Sequence, residues 1–137
     1  TVFTHLDNQD GFIGVAAVSD FQVIQPELQK IKKQKQTQLE LQFMPTIDIL
    51  QKVKQANKVK KVIGFAAETQ NVEQYAREKL KSKADMVIAN QVGKNLVFGQ
   101  NYSALKVMTS DMVWELPYDT KTKLSMQLVE IFKSFFE

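Results

Sequence analysis

The chain has 137 residues, 44% hydrophobic and 24% charged, a size and balance that fit one soluble globular domain with a real core. It carries no cysteine and a single histidine, His5, which excludes disulfides, thiolate nucleophiles, cysteine-ligated metals, a histidine triad and a multi-histidine metal site. The net charge of +3 suits a holder of a polyanionic nucleotide or a nucleic-acid binder, no apolar run reaches the roughly 18 residues of a membrane span, and no signal-peptide pattern opens the chain, so the cytoplasm is expected.

Val2, Phe3 and Leu6 have the spacing of a helix end. Phe12-Ile13-Gly14-Val15-Ala16-Ala17 then reads as a fully buried strand over about 11–17, running into Ser19 and Asp20. In open α/β sheets ligands bind beyond the carboxyl ends of such strands. Small residues there admit a flat ligand to the backbone, and Asp20 supplies a hard anionic oxygen suited to a ribose hydroxyl or a magnesium ion. The plain alternative is a core strand followed by a solvated turn.

From Phe21 through the basic run Lys30-Ile31-Lys32-Lys33-Gln34-Lys35 the chain reads as a mobile polar segment, with Pro26 opposing regular pairing. Leu39, Leu41 and Phe43 alternate with Glu40 and Gln42 as in a half-buried strand, which Pro45 and Thr46 stop. Ile49, Leu50, Val53 and Ala56 share one face of a helix, with Asp48 in its first turn. Val62-Ile63-Gly64-Phe65-Ala66-Ala67 is a second buried strand echoing the first, which suggests two neighbouring strands with the same small-residue ends.

Asn71 and Gln74 resemble a capping box for a helix whose apolar face is Val72, Tyr75, Ala76 and Leu80. Ala84 to Ala89 is a third buried strand, ending at Asn90. A long loop over Gln91–Ser103 leads to a hairpin, Ala104–Thr109 and Met112–Leu116, which carries the lone Trp114. Leu124, Leu128, Ile131, Phe132 and Phe135 define a closing amphipathic helix. The alternation predicts an α/β class with a largely parallel sheet and an antiparallel edge. The five glycines form neither GxGxxG nor a Walker loop.

Five motifs stand in order: Ala16-Ala17-Val18-Ser19-Asp20-Phe21, Lys30-Ile31-Lys32-Lys33, Asp48-Ile49-Leu50, Gly64-Phe65-Ala66-Ala67-Glu68-Thr69 and Ala89-Asn90. In these, from about Gly11 to Leu105, the chain resembles phosphopantothenate–cysteine ligase, the CTP-dependent half of the bifunctional coenzyme A biosynthesis protein. The resemblance implies a Rossmann-like domain over 1–137 with helices on both faces of the sheet. It implies a cytoplasmic homodimer that uses CTP and Mg2+ and joins 4'-phosphopantothenate to cysteine through an acyl-cytidylate, with no nucleic-acid or membrane partner.

Carried over by position, Gly14, Val15 and Ala16 would line the nucleotide pocket through backbone, and Asp20 would meet the ribose or its metal. Lys30 would reach the triphosphate from a flap as the catalytic cation, while Ile47, Asp48, Ile49, Leu50 and Phe65 would enclose the cytosine. Lys79 and Lys83, four apart on one helical face, would complete the cationic side. The plain alternatives are solvated charges for the three lysines and a first-turn carboxylate for Asp48. Pro45-Thr46-Ile47 stand where the family has Lys-Asn-Pro, and the family's Gly-rich turn and Asn-containing loop are absent. The chain therefore reads as the C-terminal portion of a ligase domain, with a non-catalytic dimerisation or interaction module of that family as the alternative. A nucleic-acid binder is disfavoured, because the lysines are spread out without interleaved aromatics.

Overall fold

Successive side chains of a strand point to opposite faces, so an apolar run with no polar alternation needs cover on both sides. Lys61–Glu68 and Met86–Gln91 meet that need in a five-stranded sheet. The computed structural model describes residues 1–32, 38–92 and 100–137. They fall into two compact units, one of Thr1–Val15 with Ile49–Glu137 and the other of Ala16–Asp48.

In the first unit a 3-10 turn, Val2–His5, precedes β1 (Gly11–Gly14). The second unit holds β2 (Phe21–Val23) and β3 (Phe43–Pro45). The first unit resumes with α1 (Ile49–Ala56), β4 (Lys61–Glu68), α2 (Val72–Ser82) and β5 (Met86–Gln91). It closes with β6 (Tyr102–Met108), β7 (Val113–Thr120) and α3 (Lys121–Phe136). The sheet order is β1-β4-β5-β6-β7, with β1, β4 and β5 parallel and β6 and β7 joined antiparallel. Four of the five strands thus share a direction, giving the mostly parallel sheet with an antiparallel edge hairpin that the alternation predicts.

Side-chain parity sorts the core into two layers. Val62 and Ala66 of β4 and Val87 and Ala89 of β5 pack with Val53 of α1 and Ala76 of α2. Ile63, Met86, Ile88 and Val107 face the other way, with Leu128 of α3, and Trp114, Ile131 and Phe132 pack against them. Helices therefore cover both faces. The Thr120 side chain accepts from the Lys123 N–H and caps α3.

The echoed motifs lie side by side: β1 pairs with β4 in the register Gly14↔Gly64, as the repeat suggests. Other expectations need correction. The first strand ends at Gly14, not near residue 17, and is not fully buried, since Ile13 is 43% exposed and Val15 beyond it 63%. Among the described residues β1 has one neighbour, β4, so it is an edge strand. Phe21–Val23, read as part of a mobile segment, pairs with Phe43–Pro45; Lys33, Gln34 and Lys35 of the basic run lie outside the described residues.

The alternating stretch 39–43 is exposed rather than half-buried, and only Phe43 of it is strand. Asp48 precedes α1 and is not in its first turn. Asn71 forms no capping box: it caps α2 in the left-handed region at φ 53 with no side-chain bond, and Gln74 instead donates to Glu78 at 3.2 Å. The third strand starts at Met86, and most of the loop after it, 93–99, lies outside the described residues. No described helix is long and apolar enough to cross a membrane.

Asp85, just before β5, ties three elements together. Its Oδ2 accepts from the Val62 N–H at 2.9 Å, and its Oδ1 pairs with Lys54 of α1. We predict that Asp85→Ala, which leaves the strand N–H and the ammonium without this partner, costs about 1–2 kcal/mol in urea denaturation.

A second network joins α2 to the hairpin. Glu73 accepts from Arg77 at 2.8 Å and from Lys106 at 3.1 Å, and Lys106 also pairs with Glu115. Arg77 first and Lys106 second hold the Glu73 carboxyl below its ordinary value of 4.5, and Glu73 and then Glu115 raise Lys106. Glu73's contribution is complete above that ordinary value and is lost as pH falls through its lowered value; that of Lys106 is complete below the usual lysine range and lost above its raised one. The stability gap between wild type and Lys106→Met should be flat near neutrality and shrink below about pH 4 in thermal melts. It should also shrink in high salt, because these groups are exposed.

Candidate functional site

The carboxyl ends of the parallel strands are where this architecture leaves backbone groups and side-chain positions open to a ligand. In the sheet unit that region is built by β4 and α2. The helix runs back along the strand and brings Lys79 to the strand's last residues. Its Nζ lies 3.4 Å from the Phe65 carbonyl oxygen and 3.8 Å from Glu68 Oε1. Phe65 packs its ring against the α3-side core while its carbonyl meets the ammonium. Lys79 and Phe65, both expected at the site, are therefore brought together.

Lys83 differs from expectation. It is the C-cap of α2, with φ −122° and its N–H on the Lys79 carbonyl, so it stands one turn beyond Lys79 at the helix end rather than within the helix.

Gly14 and Leu50 also meet, in a packing role. A Cβ on Gly14 would stand 3.2 Å from Leu50 Cδ1, and one on Gly64 would stand 2.6 Å from Leu50 Cδ2. Two glycines paired across neighbouring strands thus seat a single leucine and let α1 approach the sheet. Ile49 and Leu50 both pack against the α1–α2 core layer. Val15 is open to solvent at the strand's end.

The second unit arranges its residues separately. Ala16 accepts from the Val18 N–H at 3.1 Å, which turns the chain before Asp20. The Thr46 N–H donates to the Asp20 carbonyl at 2.9 Å, the Thr46 hydroxyl to the Ser19 carbonyl, and the Ser19 hydroxyl to the Phe21 carbonyl at 2.8 Å. Thr46, one of the residues that depart from the family's Lys-Asn-Pro, thereby fixes the backbone at Asp20, whose side chain is exposed. Ile47 is exposed and Asp48 half-buried.

Lys30 lines a concavity of about 680 Å³, together with Lys32, Glu27 and Gln42 over apolar Ile31 and Leu41. Among the described residues no three His, Asp or Glu side chains converge as a metal centre. Asp20, the carboxylate expected to meet a ribose or a metal, is exposed and is not among the residues that line this concavity.

Sequence reasoning passed over two contributors. Glu68 belongs to one of the ordered motifs, and its signal is an acidic residue ending a buried strand eleven positions before a lysine on the returning helix. Thr46 gave no signal, since its bonds are to backbone groups 26 and 27 positions away.

Residues 1–135 match the family described as "DNA/pantothenate metabolism flavoprotein C-terminal domain". The chain is 37% identical over 120 residues to the coenzyme A biosynthesis bifunctional protein CoaBC of Haemophilus influenzae, covering 86% of this chain and 30% of that protein. It is 35% identical over 132 residues to CoaBC of Bacillus subtilis, covering 94% and 32%. It thus spans about a third of the length of these relatives. The crystal structure of the C-terminal domain of a CoaBC protein superposes with a TM-score of 0.74 at 29% identity, over 98% of this chain and 58% of that one. A DNA/pantothenate metabolism flavoprotein from Streptococcus pneumoniae, at 21% identity and a TM-score of 0.72, shares the fold over 98% of this chain and 64% of its own.

Proposed function

Because this chain belongs to the DNA/pantothenate metabolism flavoprotein C-terminal domain family, we propose that it supplies the CTP-binding portion of a ligase that joins 4'-phosphopantothenate to cysteine in coenzyme A biosynthesis. The observation that carries this reading is the seating of the Lys79 ammonium on the Phe65 carbonyl at the carboxyl end of a parallel strand. It is a cation held near the strand end, the region where open α/β sheets in general bind ligands. Membership of the family and the CoaBC relatives support the reaction class.

In this reaction the substrate carboxylate attacks the α-phosphate of CTP, forming an acyl-cytidylate, a mixed carboxylic–phosphoric anhydride, and expelling pyrophosphate. The cysteine amine then attacks the activated carbonyl, loses a proton and expels CMP. Such chemistry asks for positioned cations and a held carboxylate more than for side-chain acids and bases, which fits a chain with no cysteine and one histidine.

In the sheet unit, Gly14 and Val15 would offer backbone, Ile49, Leu50 and Phe65 would flank the base, and Lys79 and Lys83 would supply positive charge. In the second unit, Ala16 would add backbone, Asp20 would meet the ribose and the magnesium carried by the nucleotide, and Ile47 and Asp48 would border the base. Lys30 would neutralise charge on the triphosphate.

The second unit also supports a homodimer. Its ribbon leaves Phe21 59% and Phe43 56% exposed, with Ile24 and Met44 open beside them, and apolar surface of that extent in a two-stranded ribbon calls for a partner. A second copy meets the need symmetrically. That surface also favours the competing reading, a non-catalytic dimerisation module.

Titration calorimetry of the full-length protein with CTP and magnesium, alongside ATP and with the oligomeric state measured by light scattering, separates them. The ligase reading expects a dimer that prefers CTP. A dimer that binds neither nucleotide leaves the interaction module.

A further inference from the structure

The ion pairs of this fold are not equivalent. Lys60 sits 2.8 Å from Asp10, and Lys54 and Asp85 are in close contact, as expected of pairs that hold elements together. Lys79 and Glu68 stand 3.8 Å apart, too far for a hydrogen bond but near enough for the carboxylate to act on the ammonium by charge. Their side chains are 29% and 27% exposed, so water screens them less than it screens the surface pairs. The carboxylate is well founded: Glu68 ends β4, its carbonyl accepts from the Val92 N–H at 2.9 Å, and it stands in register with Gln91 of β5. An ammonium has three donors, and the Phe65 carbonyl at 3.4 Å takes one. Lys79 can therefore accept an anionic ligand without leaving its seat.

We infer that Glu68 is a positioning residue that competes with the bound anion for Lys79, holding the ammonium over the Phe65 carbonyl in the empty site and weakening its grip on pyrophosphate so that this product departs. This rests on the nucleotide reading of the same site. Glu68 moderates the cation, and its removal makes anion binding too tight for turnover.

The test is made on the full-length protein with inorganic pyrophosphate and with CTP, each with magnesium, for wild type, Glu68→Gln, Glu68→Asp, Lys79→Ala and the Glu68→Gln/Lys79→Ala double variant. Glu68→Gln should bind pyrophosphate about fivefold more tightly, and its kcat and its KM for CTP should fall together, because release becomes slower. Glu68→Asp should restore most of the wild-type behaviour. In the Lys79→Ala background the Glu68→Gln effect should vanish, since the interaction it alters is gone. A loss of folding would not tighten pyrophosphate binding.

If Glu68→Gln leaves pyrophosphate affinity and kcat unchanged, or shifts them equally without Lys79, the inference is overturned while CTP binding by the wild type leaves the nucleotide reading standing. If the wild type binds no CTP, both fall.

Discussion

Replacing Gly64 by valine should cost about 3 kcal/mol of stability and lower the melting temperature by about 10 °C. Gly64 lies on β4 between buried Ile63 and half-buried Phe65, paired with Gly14 on one side and Val87 on the other. A Cβ there meets Leu50 Cδ2 at 2.6 Å and has Cδ1 and Cγ at 3.5 and 3.6 Å. The end of a leucine side chain can often rotate aside. Leu50 is seated over both glycines, its Cδ1 3.2 Å from where a Gly14 Cβ would stand, so displacing it from Gly64 disturbs a seat that both strands form.

Alanine at Gly64 should therefore cost about 1 kcal/mol and valine, with two more methyl groups under α1, several times that. The double variant Gly64→Val/Leu50→Ala removes the obstructing methyls and should regain more than half of the loss, whereas two independent defects would add. Urea denaturation of the four proteins decides it. A valine variant that melts within two degrees or so of wild type would mean that α1 does not depend on the seat.

That seat shows what the sequence could and could not convey. The paired runs Ile13-Gly14-Val15 and Ile63-Gly64-Phe65 are visible as an echo, and the echo rightly suggests neighbouring strands. That the glycines exist to admit Leu50 is not visible, because it depends on where α1 crosses them. Strands covered on both faces, β4 and β5, and the long amphipathic helices α2 and α3 are legible, since burial imposes their patterns.

The ribbon of β2 and β3 is the opposite case. Its apolar residues mimic a half-buried strand, but among the described residues Phe43 and Met44 stay exposed, so the alternation marks a surface rather than a core. Capping chemistry fails for a related reason at Asn71, where a left-handed backbone ends the connection and the side chain makes no cap bond. At the candidate site, the family resemblance implies Lys79 and Phe65, which the fold brings together. Glu68 and Thr46 act through contacts that only the register and the turn bring about.

Lys30→Ala should lower kcat/KM for CTP by about 100- to 1000-fold in the full-length protein, the range seen when one preorganised cation or donor is withdrawn from a transition state. Lys30 is exposed and lies outside both core layers, so its removal should leave the melting temperature unchanged and separate chemistry from folding. The partition of the loss identifies the role. Negative charge accumulates on the bridging and non-bridging oxygens as pyrophosphate leaves, so a cation acting there lowers kcat, whereas one that only holds the ground-state triphosphate raises KM alone.

Lys32, exposed in the same concavity two positions on, is the internal control. If the basic run acts as a diffuse positive field, Lys30→Ala and Lys32→Ala should be alike, each modest and each erased by salt. If Lys30 is a positioned group, only its own substitution should be severe, arginine should restore part of the rate, and the defect should persist at high ionic strength, because a close contact is screened less than a field. Equal and small effects at both positions would return Lys30 to the solvated charge that its exposure also allows, and would leave Lys79, held by Phe65 and Glu68, as the principal cation of the site.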